Sequence, residues 1–176
     1  MNDTLKSIVI VGGGTAGWLS AGIIAAYFKK HHSLNYHITL VESADIATVG
    51  VGEGTWPTMR RTLQNMGVDE AQFITQCNVS FKQGAKFANW HSTKENDFYY
   101  HPLMMPQGFA DNDLATAWLR QNTDSAAPHN HFANFVCPQH ALCEHNLAPK
   151  ALTTPQYSGV ANYAYHLDAG LFATFL

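Results

Sequence analysis

Gly12, Gly13, Gly14 and Gly17 follow the apolar run Ile8-Val9-Ile10-Val11, and three of them satisfy G-x-G-x-x-G. Placed between a strand and a helix, that spacing binds a dinucleotide pyrophosphate. Gly12 permits the tight turn, Gly14 lets backbone approach the phosphates, and Gly17 lets the helix pack close to the strand. The helix N-terminus supplies unpaired N–H groups and the positive end of its dipole. Gly13, Thr15, Ala16 and Trp18 belong to the same turn and are assigned to the same site. A second apolar segment, His37 to Val41, ends at Glu42. An acidic residue at that point accepts hydrogen bonds from an adenosine ribose and disfavours a 2′-phosphate. With the neighbouring Ser43, it makes the unit suit FAD or NAD rather than NADP.

The elements that must position these residues are legible in outline. The first helix runs through Phe28 and ends in Lys29-Lys30-His31-His32, cations suited to a helix C-terminus. Gly17, Ala21 and Ala25 recur every four residues and predict a small-residue face for close packing on a sheet. Thr55 is read as the cap of a helix from Trp56 to Met66, with Met59, Leu63 and Met66 as its stripe and Gly67 as its stop. Asp69 with Gln72 predicts a second short helix through Gln76. Val79 to Phe87 alternates, with Val79, Phe81, Ala85 and Phe87 on one face and Ser80, Lys82, Gly84 and Lys86 on the other, so one strand is expected there. A helix follows Asp113, with Leu114, Ala117, Trp118 and Gln121 as its stripe. From Gln121 to Asn162 the chain is polar and broken by Pro128, Pro138, Pro149 and Pro155, with a short helix around Pro138 to His145. Ala161 to Leu176 reads as helical at its end.

The fold class is α/β, the N-terminal part of a Rossmann-like FAD-binding fold. The 176 residues read as a single domain: residues 1–55 the dinucleotide-binding unit and a glycine-rich loop, residues 56–176 the helices, the lysine-bearing strand and the loop-rich segment. A doubly wound sheet continues with further parallel strands, and nothing after Glu42 supplies a clear continuation, so the first strand is expected to keep an open apolar edge. The sequence therefore reads as the truncated first part of a larger enzyme.

Bulk properties exclude several classes of function. A net charge of −3 argues against nucleic acid or an anionic membrane surface as partner. No apolar run reaches the roughly 20 residues that span a bilayer, and no signal peptide opens the chain. Cys77, Cys137 and Cys143 form no even framework, so a reducing cytoplasm is the expected location. Cys137, His140, Cys143 and His145 cluster just downstream of His129 and His131, but the spacing is not that of a standard zinc motif. These residues are read as a polar loop, and no metal is expected.

Two further segments sharpen the reading. Val49-Gly50-Val51-Gly52-Glu53-Gly54-Thr55-Trp56-Pro57-Thr58 follows the second strand, and Phe81-Lys82-Gln83-Gly84-Ala85-Lys86-Phe87-Ala88-Asn89-Trp90 carries the alternation. Together with Gly12–Trp18 and the tail Tyr163–Ala169, they closely resemble the flavin-dependent tryptophan halogenase family. The resemblance implies that reduced FAD, supplied by a separate flavin reductase, works with oxygen and chloride or bromide to generate hypohalous acid, which halogenates an aromatic, indole-like small molecule. It assigns Val49, Gly50, Val51 and Glu53 to a strap lying over FAD and linking the flavin and substrate pockets. Lys82 matches the lysine that holds hypohalous acid, or forms a haloamine, beside the substrate. Alternation alone would read Lys82 as a solvated lysine; the resemblance makes it catalytic. Lys86 shares its face about 13 Å further along, at roughly 3.3 Å per residue. The family's W-x-W-x-I-P signature, the glutamate that partners the lysine and the second flavin-binding segment have no counterpart in these residues, and Gly54-Thr55-Trp56 stands where tryptophan-specific members carry Ala-Thr-Ile. A hydroxylating flavin monooxygenase and a non-catalytic FAD-binding remnant are the alternatives.

Overall fold

Parallel strands cannot be joined by a tight turn and need a crossover, and the first forty residues supply one. Strand β1 (Lys6–Val11) leads through the glycine turn into helix α1 (Thr15–Lys30), which returns the chain to strand β2 (Tyr36–Val41). The two strands pair in parallel from Lys6 opposite Tyr36 to Val11 opposite Val41. Next come β3 (Gly52–Gly54), α2 (Thr58–Met66), α3 (Glu70–Gln76), β4 (Ser80–Lys82), β5 (Gly84–Ala88) and β6 (Phe98–Pro102). The chain closes with α4 (Leu114–Gln121), α5 (Phe132–Val136), α6 (Gln139–Glu144), β7 (Ala164–Asp168) and α7 (Ala169–Phe175). This computed structural model describes residues 6–32, 36–46, 50–90, 97–122 and 131–176. They form two compact units, one of Met1–Ser80 with Tyr165–Leu176 and one of Phe81–Ala164. Among the described residues, no helix is long and apolar enough to cross a membrane.

In the first unit, β3 pairs antiparallel with β7, and the core gathers behind them. Leu63, Phe73, Tyr165 and Phe172 are fully buried. The Phe73 ring meets Tyr165 edge-on at 5.0 Å and Phe172 at 5.4 Å. Helix ends follow local chemistry. Asp69 caps α3 by accepting the Gln72 N–H at 2.9 Å, and Asp168 caps α7 by accepting that of Leu171 at 2.8 Å. Gly67 ends α2 in the left-handed region, at φ +78°, where a side chain would be strained.

Three expectations need correction. Helix α2 begins at Thr58 with Pro57 as its N-cap, not at Trp56, because the Thr55 hydroxyl bonds Tyr165 instead of capping. The small-residue face of α1 stops short: Gly17 and Ala21 are half-buried and Ala25 is exposed. Steps of four residues advance about 40° each, so the third position has rotated off the contact, and Gly22 meets α2 at Met66 instead. The strand expected over residues 79–87 is two strands, broken at Gln83. That residue is buried; its amide donates to the Leu147 carbonyl at 2.7 Å, and its own carbonyl accepts the Leu103 N–H at 3.2 Å. The tail is helical at its end as expected, in α7, and β7 precedes that helix.

Among the described residues β1 pairs with β2 alone, and on one face of β1 Val9 and Val11 are 61 % and 84 % exposed. In the second unit, β5 and β6 form an antiparallel pair with Lys86 opposite Tyr100. Lys86 Nζ lies 2.8 Å from Glu144 Oε1, which also accepts the Tyr100 hydroxyl at 2.7 Å.

Gly17→Ala should lower stability by about 3 kcal/mol in thermal or urea unfolding, because its β-carbon would overlap the Gly12 carbonyl. Gly14→Ala, whose β-carbon meets nothing within 4 Å, should cost less, about 0.5–1 kcal/mol, from the poorer N-cap alone. Hydrogen bonds from Lys86 and then Tyr100 hold the Glu144 carboxyl below the usual carboxylate range. That stabilisation is present above the unfolded carboxylate pKa and is lost as pH falls through the folded one. Unfolding midpoints of the native chain and Glu144→Gln should therefore differ at neutral pH and converge in acid.

Candidate dinucleotide site

The glycine turn owes its shape to missing β-carbons. Gly12 takes φ +121°, a region L side chains rarely enter, and its N–H donates to the Val41 carbonyl at 2.9 Å. That bond continues the β1–β2 ladder one step into the turn. A β-carbon on Gly17 would overlap the Gly12 carbonyl, and one on Gly13 would overlap the Glu42 side chain. Gly14 differs from both. It is the N-cap of α1 in extended conformation, at φ −75° and ψ 178°, with no side-chain cap, and the space beside its α-carbon is open.

A cavity of about 770 Å³ stands at this turn. One wall is Val11 with residues 12–16; the other is Val41, Glu42, Ser43 and Ile46, and Glu53 reaches in from β3. Two observations mark it as a place for an anion. The start of α1 has no side-chain cap; the Gly17 N–H is turned back onto the Gly14 carbonyl at 2.9 Å, which leaves those of Thr15 and Ala16 for a ligand. The buried Thr15 hydroxyl has no hydrogen-bond partner among the described residues, so a polar ligand at the helix start would satisfy it. The lining contains no lysine or arginine. Such a site can hold a diphosphate through backbone donors and the helix dipole, with its two carboxylates left to accept hydroxyl hydrogens. A dinucleotide has both kinds of group.

Most of the residues singled out in the sequence come together here. Gly12, Gly13, Gly14, Thr15, Ala16, Glu42, Ser43 and Glu53 line one cavity. Gly17 stands behind it in the turn, and the Trp18 indole N–H lies 3.4 Å from Glu42 Oε2. Gly50, at φ +125°, and Val51, 94 % exposed, lie outside the lining, and Val49 lies outside the described residues. Lys82, half-buried at the end of β4, belongs to the second unit and is not part of this lining. The break at Gln83 also removes Lys86 from its strand. Sequence reasoning missed Ile46 in the wall. It also missed the hold that Tyr165 has on Thr55, whose only sequence signal was a threonine read as a cap.

The cysteine and histidine residues have ordinary surroundings. His140 packs 5.0 Å from the Tyr100 ring and 5.3 Å from His131, and burial, then His131, pushes its pKa below the usual value. The Cys77 thiol is pushed up to about 11 by burial and then Asp168, which keeps it a neutral thiol rather than a nucleophile. Among the described residues no three His, Cys, Asp or Glu side chains gather as a metal site; His129 lies outside them.

Comparison with known proteins extends this geometry. The model of the tryptophan halogenase family matches residues 7–176. The tryptophan 6-halogenase SttH of Streptomyces toxytricini is 32 % identical, over 96 % of this chain and 34 % of that protein. The tryptophan 7-halogenase RebH of Lentzea aerocolonigenes is 32 % identical, over 100 % of this chain and 34 % of that protein. A solved tryptophan halogenase from Shewanella frigidimarina NCIMB 400 is 45 % identical with a TM-score of 0.84, over 98 % of this chain and 33 % of that one. The chain spans about a third of the length of the curated relatives it matches. A strand–glycine turn–helix cradle in an α/β chain, matched over nearly all its length, leaves one conclusion: this chain belongs to the tryptophan halogenase family.

Proposed function

We propose that this chain carries the FAD cradle and the reactive lysine of a flavin-dependent halogenase acting on a tryptophan- or indole-like aromatic compound. The observation that carries the reading is the cavity at the glycine turn, with its uncapped helix, orphaned Thr15 hydroxyl and open Gly14. Gly12 to Trp18 would hold the pyrophosphate, Glu42 and Ser43 the adenosine ribose side, and the strap residues Val49, Gly50, Val51 and Glu53 would lie along the cofactor. Bound in its reduced form, FAD supplies with oxygen the oxidation of chloride or bromide to hypohalous acid. A separate flavin reductase would provide the reduced cofactor, and both proteins would work in the cytoplasm.

The remaining chemistry belongs to Lys82. As an ammonium it hydrogen-bonds hypohalous acid through its N–H donors. As a free amine it displaces water from hypohalous acid, forming an N–halogen bond. Attack by an aromatic carbon then breaks that bond, the ring loses a proton, and the amine is regenerated. One feature favours Lys82 over Lys86 for this work: it is the lysine that matches the family's position in the strand motif.

Fluorescence titration of the chain should show quenching of FAD emission. Gly14→Val should weaken FAD binding about tenfold or more, since it adds bulk where backbone must approach the ligand without straining the turn itself. Undiminished affinity would remove the turn as the phosphate site. In the complete gene product given bromide and reduced FAD, Lys82→Ala should abolish brominated product while hydrogen peroxide release continues. Unaltered halogenation would take Lys82 out of the mechanism, and an oxygenated product from the unmodified protein would identify a hydroxylase instead.

A further inference from the structure

Strand β3 carries too little side-chain information to choose its own register. Two of its three residues are glycines, which weaken a strand and leave nothing to pack. Only Glu53 bears a side chain, and a slip of one residue against β7 would carry it to the opposite face. The pairing of Gly52 with Asp168, Glu53 with Leu167 and Gly54 with His166 must therefore be fixed from outside the strand.

Thr55 continues that register, buried opposite Tyr165. Its N–H donates to the Tyr165 carbonyl at 2.8 Å. Its hydroxyl donates to the same carbonyl at 3.2 Å and accepts the Tyr165 N–H at 3.0 Å. The hydroxyl takes the place that the Thr55 carbonyl would hold in a regular ladder, which lets the main chain turn away toward Pro57 and α2. Tyr165 is immobilised in turn. Its hydroxyl donates to the buried Glu70 carboxylate at 2.8 Å, and its ring stands edge-on to Phe73.

We propose that Thr55, backed by Tyr165 and Glu70, is the register pin of β3 and thereby the positioning residue for Glu53 in the dinucleotide cavity. The inference rests on the reading of that cavity as the FAD site, where the Glu53 carboxylate accepts hydrogen bonds from hydroxyls of the dinucleotide. Strand β3 supplies Glu53, and the pin decides which way it faces.

Two readouts on this chain, with FAD as the probe, separate the pin from the site. Amide hydrogen exchange without ligand reads the pin alone. Thr55→Val should speed exchange at the Thr55 and Tyr165 amides about tenfold while the α3 amides keep their protection, and Thr55→Ser should restore the native pattern. FAD titration reads the positioning. Thr55→Val should weaken binding about tenfold, as the competent register becomes a minor population, and Glu53→Gln should cause a similar loss. The double variant should bind no worse than either single one, because both remove the same contact. Tyr165→Phe, which deletes only the hydroxyl on Glu70, should show a smaller loss of the same kind and replaces Thr55→Val if that variant does not fold. Unchanged exchange in these variants overturns the pin, and losses that multiply in the double variant overturn the positioning of Glu53. An unmodified chain that leaves FAD emission unquenched overturns the FAD reading instead, and the exchange pattern still decides the pin.

Discussion

The first unit depends on how closely the Gly12 carbonyl approaches the α-carbon of Gly17, a contact that any side chain at position 17 would prevent. It brings the first turn of α1 down onto the end of β1, so the helix axis leaves the turn at the height of the sheet. Because Gly14 then caps α1 without a side chain, the N–H groups of Thr15 and Ala16 are not taken up by a side-chain cap, while that of Gly17 closes on the Gly14 carbonyl. A second missing β-carbon, at Gly13, admits the Glu42 side chain beside the same turn. Each glycine costs roughly 0.5–1 kcal/mol of chain entropy relative to alanine. What offsets that cost is geometric: strand, helix and acidic residue meet around one point inside the first βαβ unit, with Glu42 24 positions beyond Trp18.

That locality explains what could be read in advance. The turn, the caps at Asp69 and Asp113 and the stop at Gly67 are signals carried within four or five residues, and the structure places all of them as expected. The failures involve partners far away in the chain. Thr55 looks like a helix cap, yet its hydroxyl is bonded 110 residues downstream. Alternation from Val79 to Phe87 keeps its parity on both sides of the break, and its one local mark is Gln83 itself, a polar residue on the apolar face. The break arises because a buried amide finds the Leu147 carbonyl 64 residues on. Strand β6, whose pairing with β5 needs no signal of its own, went unread.

The break at Gln83 changes the chemistry assigned to the two lysines. On a single strand, Lys82 and Lys86 would be equivalent amines on one face, separated only by distance. On two strands their surroundings part. Lys86 lies across from Tyr100 and shares Glu144 with it. A pair as exposed as Lys86 and Glu144 contributes only about 0.2–1 kcal/mol to stability, so its significance is less energetic than positional. It binds Lys86 to the β5–β6 hairpin, while Lys82 stands apart at the end of β4.

The charge arrangement of the cavity bears on the ligand proposed for it. Two carboxylates and no cationic side chain line it, so an entering diphosphate is met by backbone N–H groups and the end of a helix dipole, whose effect falls off within the first turn. Near the turn this suffices. Beside Glu42 the same cavity is repulsive to anions. A further phosphate on the ribose, placed about 4 Å from that carboxylate, would cost roughly 1 kcal/mol per charge in water and about 4 kcal/mol at the dielectric of a protein surface. Ribose hydroxyls at the same place donate to the carboxylate instead. On the proposed reading, such a site would favour a dinucleotide with an unmodified ribose, by attraction at one end and exclusion at the other.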